Sequence, residues 1–279
     1  MNDRKQTVGD VLADALAAYN RVPRRDAEIL LAACLGRPRA QILARPEAPV
    51  PPEAARRFAA LVERRARGEP IAYLLGEKEF WSLPLRITRE VLVPRPETET
   101  LVETALASCP AEEPLEVLDL GTGSGAIALA LASERPRWHL TATDASEAAL
   151  AVARENAHRL GLDRIEFLAG HWFQAIGERR FDLIVSNPPY IAAGDPALTA
   201  PDLTFEPQSA LVAGPTGLEA LANLVSAAPR HLKKGGHLVL EHGHDQAAAV
   251  RKLLDSAGFS TIRSFPDLAG HERVTSARS

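Results

Sequence analysis

"VLDLGTGSGAIALALA", Val117–Ala132, is the stretch that decides how this chain is read. A short apolar run ends on three glycines in five positions, Gly121, Gly123 and Gly125, and an alanine-rich helical pattern follows at once. Strand, tight turn and helix in that order form the first half of a βαβ unit. Glycines in the turn let the backbone bend sharply and approach a ligand closely, with the amino end of a helix behind them. Asp144 closes the next β-rich run, "WHLTATD", 19 residues after Gly125. A carboxylate there can accept hydrogen bonds from both hydroxyls of a ribose. The turn therefore suits a cofactor that contains a nucleoside.

The same alternation extends outward from residue 97. Runs such as "LEVLDL", "RIEFLAG", "FDLIVSN" and "GHLVLEHG" are separated by candidate helices over 97–108, 124–133, 146–160, 216–232 and 245–256. This pattern predicts an α/β domain with a mostly parallel sheet. "FSTIRSF" and "ERVTSA" near the end are expected to pair as neighbouring strands. The first 75 residues read differently. Thr7 and Asp10 form a capping-box pattern ahead of an apolar stripe at Val8, Val11, Leu12, Leu16 and Tyr19. "RRDAEILLAACLG" predicts a second helix stopped by Gly36, and a third is expected from near Pro52 to Gly68. Alternation in "LPLRI" and "EVLV" predicts a hairpin. The expected organisation is a helical module over 1–75, a hairpin linker over 76–96 and the α/β domain over 97–279.

Composition narrows the function. Net charge is −4, but residues 1–90 carry +4 and the remainder −8. Only five of the 32 basic residues are lysine, so the arginine runs read as solvated helix faces rather than a nucleic-acid surface. No apolar run approaches a membrane span, and "MNDRKQTVGD" is unlike a signal peptide. Cys34 and Cys109 match no metal spacing, and the H-x-H pair in "EHGHD" has no third ligand nearby. A reduced, cytoplasmic setting without a metal is expected, with no membrane and no direct nucleic-acid partner, and with monomer as the default state.

Two cofactors compete for the glycine turn. Gly121, Gly123 and Ala126 satisfy G-x-G-x-x-A, the dinucleotide pattern of a dehydrogenase. Asp119 stands just before them, however, and a carboxylate beside a pyrophosphate would be repelled, whereas one beside an ammonium group is attracted. S-adenosylmethionine carries a ribose, an amino group and no phosphate, so it fits both acids. "GHWF" after the third strand places Trp172 where an adenine could stack.

"VSNPPY", Val185–Tyr190, indicates what receives the methyl group. The strand before it is expected beside the first strand, with its carboxyl end toward the ligand. Prolines end the ladder and leave carbonyls unpaired. A planar amide or aromatic amine is a poor nucleophile, because its lone pair is delocalised. It needs two acceptors for its N–H bonds, and the Asn187 side-chain oxygen and the Pro188 carbonyl are two. Pro189 stiffens the turn, and Tyr190 offers a flat face for stacking. Orientation supplies most of the acceleration in such a displacement.

"DLGTGSGAIALALA", "SNPPY", "FEPQSAL", "GPTGLEAL", "LVLEHG" and "GHERV" together resemble the protein-(glutamine-N5) methyltransferases that modify peptide chain release factors. The resemblance continues through "RRDAEILLA", "PIAYLLGEKEFWSLPL" and "VLVPRPETE", so it covers nearly the whole chain. It implies a class I methyltransferase: a Rossmann-like, seven-stranded, mostly parallel sheet with the last strand antiparallel, beside a helical substrate-binding domain. It also implies S-adenosylmethionine as donor, S-adenosylhomocysteine as product and the Gly-Gly-Gln glutamine of class 1 release factors as acceptor. By position, Gly121, Thr122, Gly123, Ser124 and Gly125 would hold the methionine part, Asp144 the ribose and Trp172 the adenine, with Asp119 near the ammonium group on the charge argument above. Asn187, Pro188, Pro189 and Tyr190 would clamp the glutamine, with Asn187 also facing the donor methyl. "PRPETE" would lie over the cofactor. His171 departs from the acid often found there in this family. The alternative on the same motifs is an adenine-N6 methyltransferase, which would need a strongly basic face for DNA or RNA.

Overall fold

The computed structural model describes residues 6–279; the polar stretch at 1–5 lies outside them. The chain forms two compact units, one running to Gly76 and including Thr199–Phe205, the other Glu77–Leu198 with Glu206–Ser279.

The first unit is helical: α1 (Val8–Ala18), α2 (Arg24–Leu35), α3 (Arg39–Leu43), α4 (Pro52–Ala66) and α5 (Ile71–Leu75). The capping box at its start is complete, with the Asp10 amide donating to Thr7 Oγ1 at 3.2 Å and the Thr7 amide donating to Asp10 Oδ2 at 3.0 Å. Val8, Val11, Leu30, Leu31, Phe58 and Val62 meet in its core. The helices α3 and α5 have five residues each, starting after Pro38 and Pro70, too short to show a helical period in sequence. The arginines read as solvated faces stay largely exposed, yet several reach inward to carboxylates. Glu28 accepts from Arg24 Nε at 2.9 Å and Arg39 Nη2 at 2.6 Å, Glu69 accepts from Arg64 Nη2 at 2.7 Å, and Arg65 Nε donates to Asp26 at 2.8 Å.

The second unit opens with a hairpin, β1 (Glu77–Phe80) and β2 (Leu83–Arg86). This corrects the predicted pairing of "LPLRI" with "EVLV". The partner of Leu83–Arg86 lies upstream, across a two-residue turn in which Trp81 and Ser82 take left-handed φ of 51° and 59°. Such a turn matches the twist of the strands it joins. Val91 and Val93 do alternate into the core, but the Val93 amide donates to the Glu206 carboxylate instead of to a strand.

There follow α6 (Glu99–Ser108), β3 (Glu116–Leu120), α7 (Ala126–Glu134), β4 (His139–Asp144), α8 (Glu147–Arg159), β5 (Glu166–Ala169), β6 (Phe181–Ser186), β7 (Ile191–Ala192), β8 (Val212–Gly214), α9 (Glu219–His231), β9 (Leu232–Glu241), α10 (Ala247–Ser256), β10 (Ser260–Pro266) and β11 (Glu272–Arg278). Seven strands form one sheet in the order β10-β11-β9-β6-β3-β4-β5. The last strand, β11, runs antiparallel between β10 and β9, and the rest of the sheet is parallel. Strands β3 and β6 are buried along nearly their whole length, as parallel strands with both faces covered must be. The helix α7 is buried on all sides from Ala126 to Ala132, because its alanines leave room for close packing. No helix among the described residues is long and apolar enough to cross a membrane.

Candidate active site

Strand register assembles the site. Leu120 lies opposite Thr143 on one side and Ser186 on the other, and Ser186 lies opposite Leu240. One step further along, Asp144, Gly121, Asn187 and Glu241 therefore stand in a row at the carboxyl ends of four adjacent parallel strands. Ser186 Oγ donates to the Leu120 carbonyl at 2.7 Å and fixes this alignment. In parallel sheets, ligands bind at these strand ends.

A cleft of about 860 Å³ opens over the row, and Gly121, Gly123, Asp144, Trp172, Asn187 and Pro189 are all in its wall. The glycine turn takes left-handed φ at all three positions, 75°, 55° and 85°. At Gly125 a β-carbon would also sit 3.0 Å from Leu129 Cδ1 and 3.3 Å from Ala153 Cβ, so a side chain there would press on both neighbours as well as strain the backbone. The Gly121 and Thr122 amides donate to the Thr143 carbonyl at 2.9 and 3.0 Å. Asp144 accepts from the Gly123 amide and from the Ser146 amide, both at 2.9 Å. Buried Asn156 donates to the Ser124 carbonyl at 2.9 Å and to the Arg86 carbonyl at 3.0 Å, fastening the turn to the β1–β2 hairpin.

Asp119 lies behind the turn, fully buried. Its Oδ2 accepts from Thr122 Oγ1 at 2.6 Å, and its Oδ1 has no hydrogen-bond partner. Burial pushes this carboxyl up to about 7, and nearby Asp144 adds to the rise. Thr122, Ser124 and Gly125 shape the turn without lining the cleft. Trp172 borders the cleft with a left-handed φ of 51°, a strained conformation for a bulky residue, and meets His171 edge-on at 5.1 Å between ring centroids.

The NPPY turn is divided between wall and support. Asn187 and Pro189 line the cleft, whereas Pro188 is buried and Tyr190 packs against the sheet core. Asn187 Nδ2 donates to Thr98 Oγ1 at 3.1 Å. The Tyr190 hydroxyl lies 3.5 Å from Glu241 Oε1, and its carbonyl accepts from Gln246 Nε2 at 3.0 Å. A β-carbon on Gly217 would come within 2.6 Å of that carbonyl, which is what glycine achieves in "GPTGLEAL". "PRPETE" is anchored by Arg95, whose guanidinium pairs with buried Glu206 of "FEPQSAL". Sequence reasoning did not single out Thr98, Asn156, Glu206, Glu241 or Gln246. Three of them, Thr98, Glu206 and Glu241, stand inside quoted motifs, which was the available signal.

A seven-stranded sheet whose final strand inserts antiparallel, carrying such a cleft over its parallel ends, has the architecture of class I methyltransferases. The family model of the PrmC N-terminal domain matches residues 12–76, and that of the methyltransferase small domain matches residues 98–206. A release factor glutamine methyltransferase of Pseudomonas aeruginosa is 52% identical over 269 residues, 96% of this chain and 97% of that protein. Another, of Xylella fastidiosa, is 52% identical over 262 residues, covering 94% and 95%. A methyltransferase structure from Pyrococcus furiosus shares the fold with a TM-score of 0.54 at 21% identity, over 77% of this chain and 97% of its own. The chain belongs to the release factor glutamine methyltransferase family.

Proposed function

We propose that this chain methylates the side-chain amide nitrogen of the Gly-Gly-Gln glutamine in class 1 peptide chain release factors, with S-adenosylmethionine as donor and S-adenosylhomocysteine as product. The observation that carries the reading is that Asn187 and Pro189 share one cleft wall with Gly121, Gly123 and Asp144. An amide-gripping turn and a nucleoside-binding turn thus open on the same space.

The residues fit the cofactor. Asp119 Oδ1, buried without a partner, has acceptor capacity for an ammonium group, and Asp144 keeps lone pairs for ribose hydroxyls beyond its two backbone bonds. When bound, S-adenosylmethionine supplies a sulfonium methyl open to in-line displacement. Gly121 and Gly123 would hold its methionine part, with Thr122, Ser124 and Gly125 shaping the turn behind them, and Trp172 would hold the adenine. Asn187 Oδ1 and the Pro188 carbonyl accept the two N–H bonds of the glutamine amide and turn its nitrogen toward the methyl. Tyr190 flanks the amide plane, its ring fixed by core packing and by Glu241. Holding the reacting nitrogen in line is the main task of the protein. The methylated nitrogen is acidic and releases its proton readily, so this reading places no strong base and no metal in the clamp. The helical unit serves as the substrate-binding domain, and the enzyme acts in the cytoplasm as a single chain.

The test is incubation with methyl-labelled S-adenosylmethionine and a purified release factor, its Gly-Gly-Gln glutamine-to-alanine variant, or plain DNA. Label on the wild-type factor alone is expected. Label on DNA alone would establish the adenine-N6 reading in its place.

A further inference from the structure

The NPPY turn has few means of holding itself. Pro188 and Pro189 have no N–H to donate, and the amide-clamp reading reserves the Pro188 carbonyl for the substrate. The turn is instead fixed from its two ends. Before it, Ser186 Oγ donates to the Leu120 carbonyl at 2.7 Å. After it, the handle is the Tyr190 carbonyl, which accepts from Gln246 Nε2 at 3.0 Å.

Gln246 stands just ahead of α10 and gathers three segments. Its Nε2 also donates to the Gly217 carbonyl at 3.2 Å, and its Oε1 accepts from the Gly243 amide at 2.9 Å. The Gln246 main-chain amide donates to the Gly243 carbonyl in return, again at 2.9 Å.

The two ends of a glutamine amide have the same shape and opposite hydrogen-bonding character, so only partners of fixed polarity decide which end points where. All three partners of this side chain are main-chain groups, two carbonyls that only accept and one N–H that only donates. A single orientation satisfies them. The reversed amide would set its oxygen against two carbonyls and its N–H2 against an N–H. Gly217 belongs to the same arrangement, because a β-carbon there would sit 2.6 Å from the Tyr190 carbonyl oxygen and 3.0 Å from Gln246 Nε2.

We infer that Gln246 is a positioning residue for methyl transfer, holding the exit of the NPPY turn to the end of β9 and so setting where the Tyr190 ring and the Pro188 carbonyl meet the acceptor amide. The inference rests on the amide-clamp reading above. Gln246 does not line the cleft, so it acts through Tyr190 and not on the substrate. Strands β6 and β9, whose ends it joins, lie on one side of β3, and β4 with Asp144 lies on the other. Its loss should therefore fall on the acceptor and spare the cofactor.

The experiment measures steady-state methylation of a purified release factor. Calorimetry with S-adenosylmethionine on the same preparations gives the cofactor affinity and the number of intact sites per chain. Wild-type labelling of the glutamine upholds the clamp reading; a wild type that leaves the factor unlabelled overturns that reading and the inference with it. Given a working wild type, Gln246→Glu keeps the shape and the bond from Gly243 but turns a carboxylate oxygen on two carbonyls. Gln246→Met keeps the length and removes all three side-chain bonds. Gly217→Ala pushes on the same Tyr190 carbonyl from the other side. Each is expected to lower kcat about 10- to 100-fold, the scale of a small misplacement at the reacting group, with cofactor affinity and site number unchanged. Wild-type kcat in any of the three overturns the inference. A loss of cofactor sites that accounts for the lost rate overturns it equally, because Gln246 would then serve the fold alone.

Discussion

Two pairs of buried carboxylates, one pair in each unit, are treated in opposite ways. Glu28 and Glu69 in the helical unit are each 3% exposed, comparable with Asp119 at 0% and Glu241 at 1% in the sheet unit. Each of the first pair meets a guanidinium, Glu28 from Arg24 and Arg39, Glu69 from Arg64. Each of the second pair keeps an oxygen with no hydrogen-bond partner. The consequences run in opposite directions. Burial alone would raise Glu28, but its two arginines hold it below the usual carboxylate range, whereas burial lifts Asp119 and Glu241 to about 7. A charge neutralised within its own unit serves the fold. One left with acceptor capacity costs stability, and it is retained where chemistry needs an acceptor.

The contrast can be broken at several points. The largest effect is expected at the clamp itself: Asn187→Ala should lower methyl transfer by about 100- to 1000-fold, with S-adenosylmethionine affinity nearly unchanged by calorimetry. Comparable turnover would remove Asn187 from its role. Next, Asp144→Ala and Asp119→Asn should each raise the cofactor dissociation constant by about tenfold or more, through loss of charged hydrogen bonds. The folds should hold, and Asp119→Asn should be at least as stable as the wild type at alkaline pH; a marked fall in melting temperature would place Asp119 with the structural acids. In the helical unit the pattern reverses. Glu28→Gln should lower stability by about 1–2 kcal/mol in urea unfolding and leave cofactor affinity alone.

The smallest effect is on pH dependence, and its sign separates the paired Glu28 from the unpaired Asp119 and Glu241. For Asp119 and Glu241 the folded-state pKa of about 7 exceeds the unfolded value near 4, so the folded state holds these protons longer. Their contribution to stability is full below about pH 4 and is lost as pH rises through about 7. Glu28, held low, contributes above its unfolded pKa and loses that contribution in acid. Melting of the cofactor-free protein from about pH 5 to about pH 8 should therefore show a downward trend that the double variant Asp119→Asn, Glu241→Gln flattens. An unchanged slope in the double variant would show that these acids do not titrate in that range.

What could be read from sequence was what lies close together in it. The glycine turn, Asp144 and the NPPY turn are contiguous signals placed by strand alternation, and the order of strands follows from the rules for parallel sheets. The supports of those residues could not be read in the same way. Thr98, on the turn before α6, reaches Asn187 across 89 positions and Glu241 reaches Tyr190 across 51, contacts that exist only once the domain is folded. The hairpin was misplaced because a left-handed Trp-Ser turn has no glycine or asparagine to announce it. The arginines of α2 and α4 read as solvated and largely are, but the buried carboxylates that Arg24 and Arg64 reach could not be read before the helices pack.

Trp172 has one more consequence, and it is optical. The chain has three tryptophans. Trp138 is sealed in the core at 1% exposure, Trp81 donates its indole N–H to Glu134 at 2.8 Å, and only Trp172 borders the cleft. An adenine arriving against that ring should quench its fluorescence while the other two supply a constant background. Trp172→Phe would be the matching blank, so occupancy of the cleft can be followed by emission from the unlabelled protein.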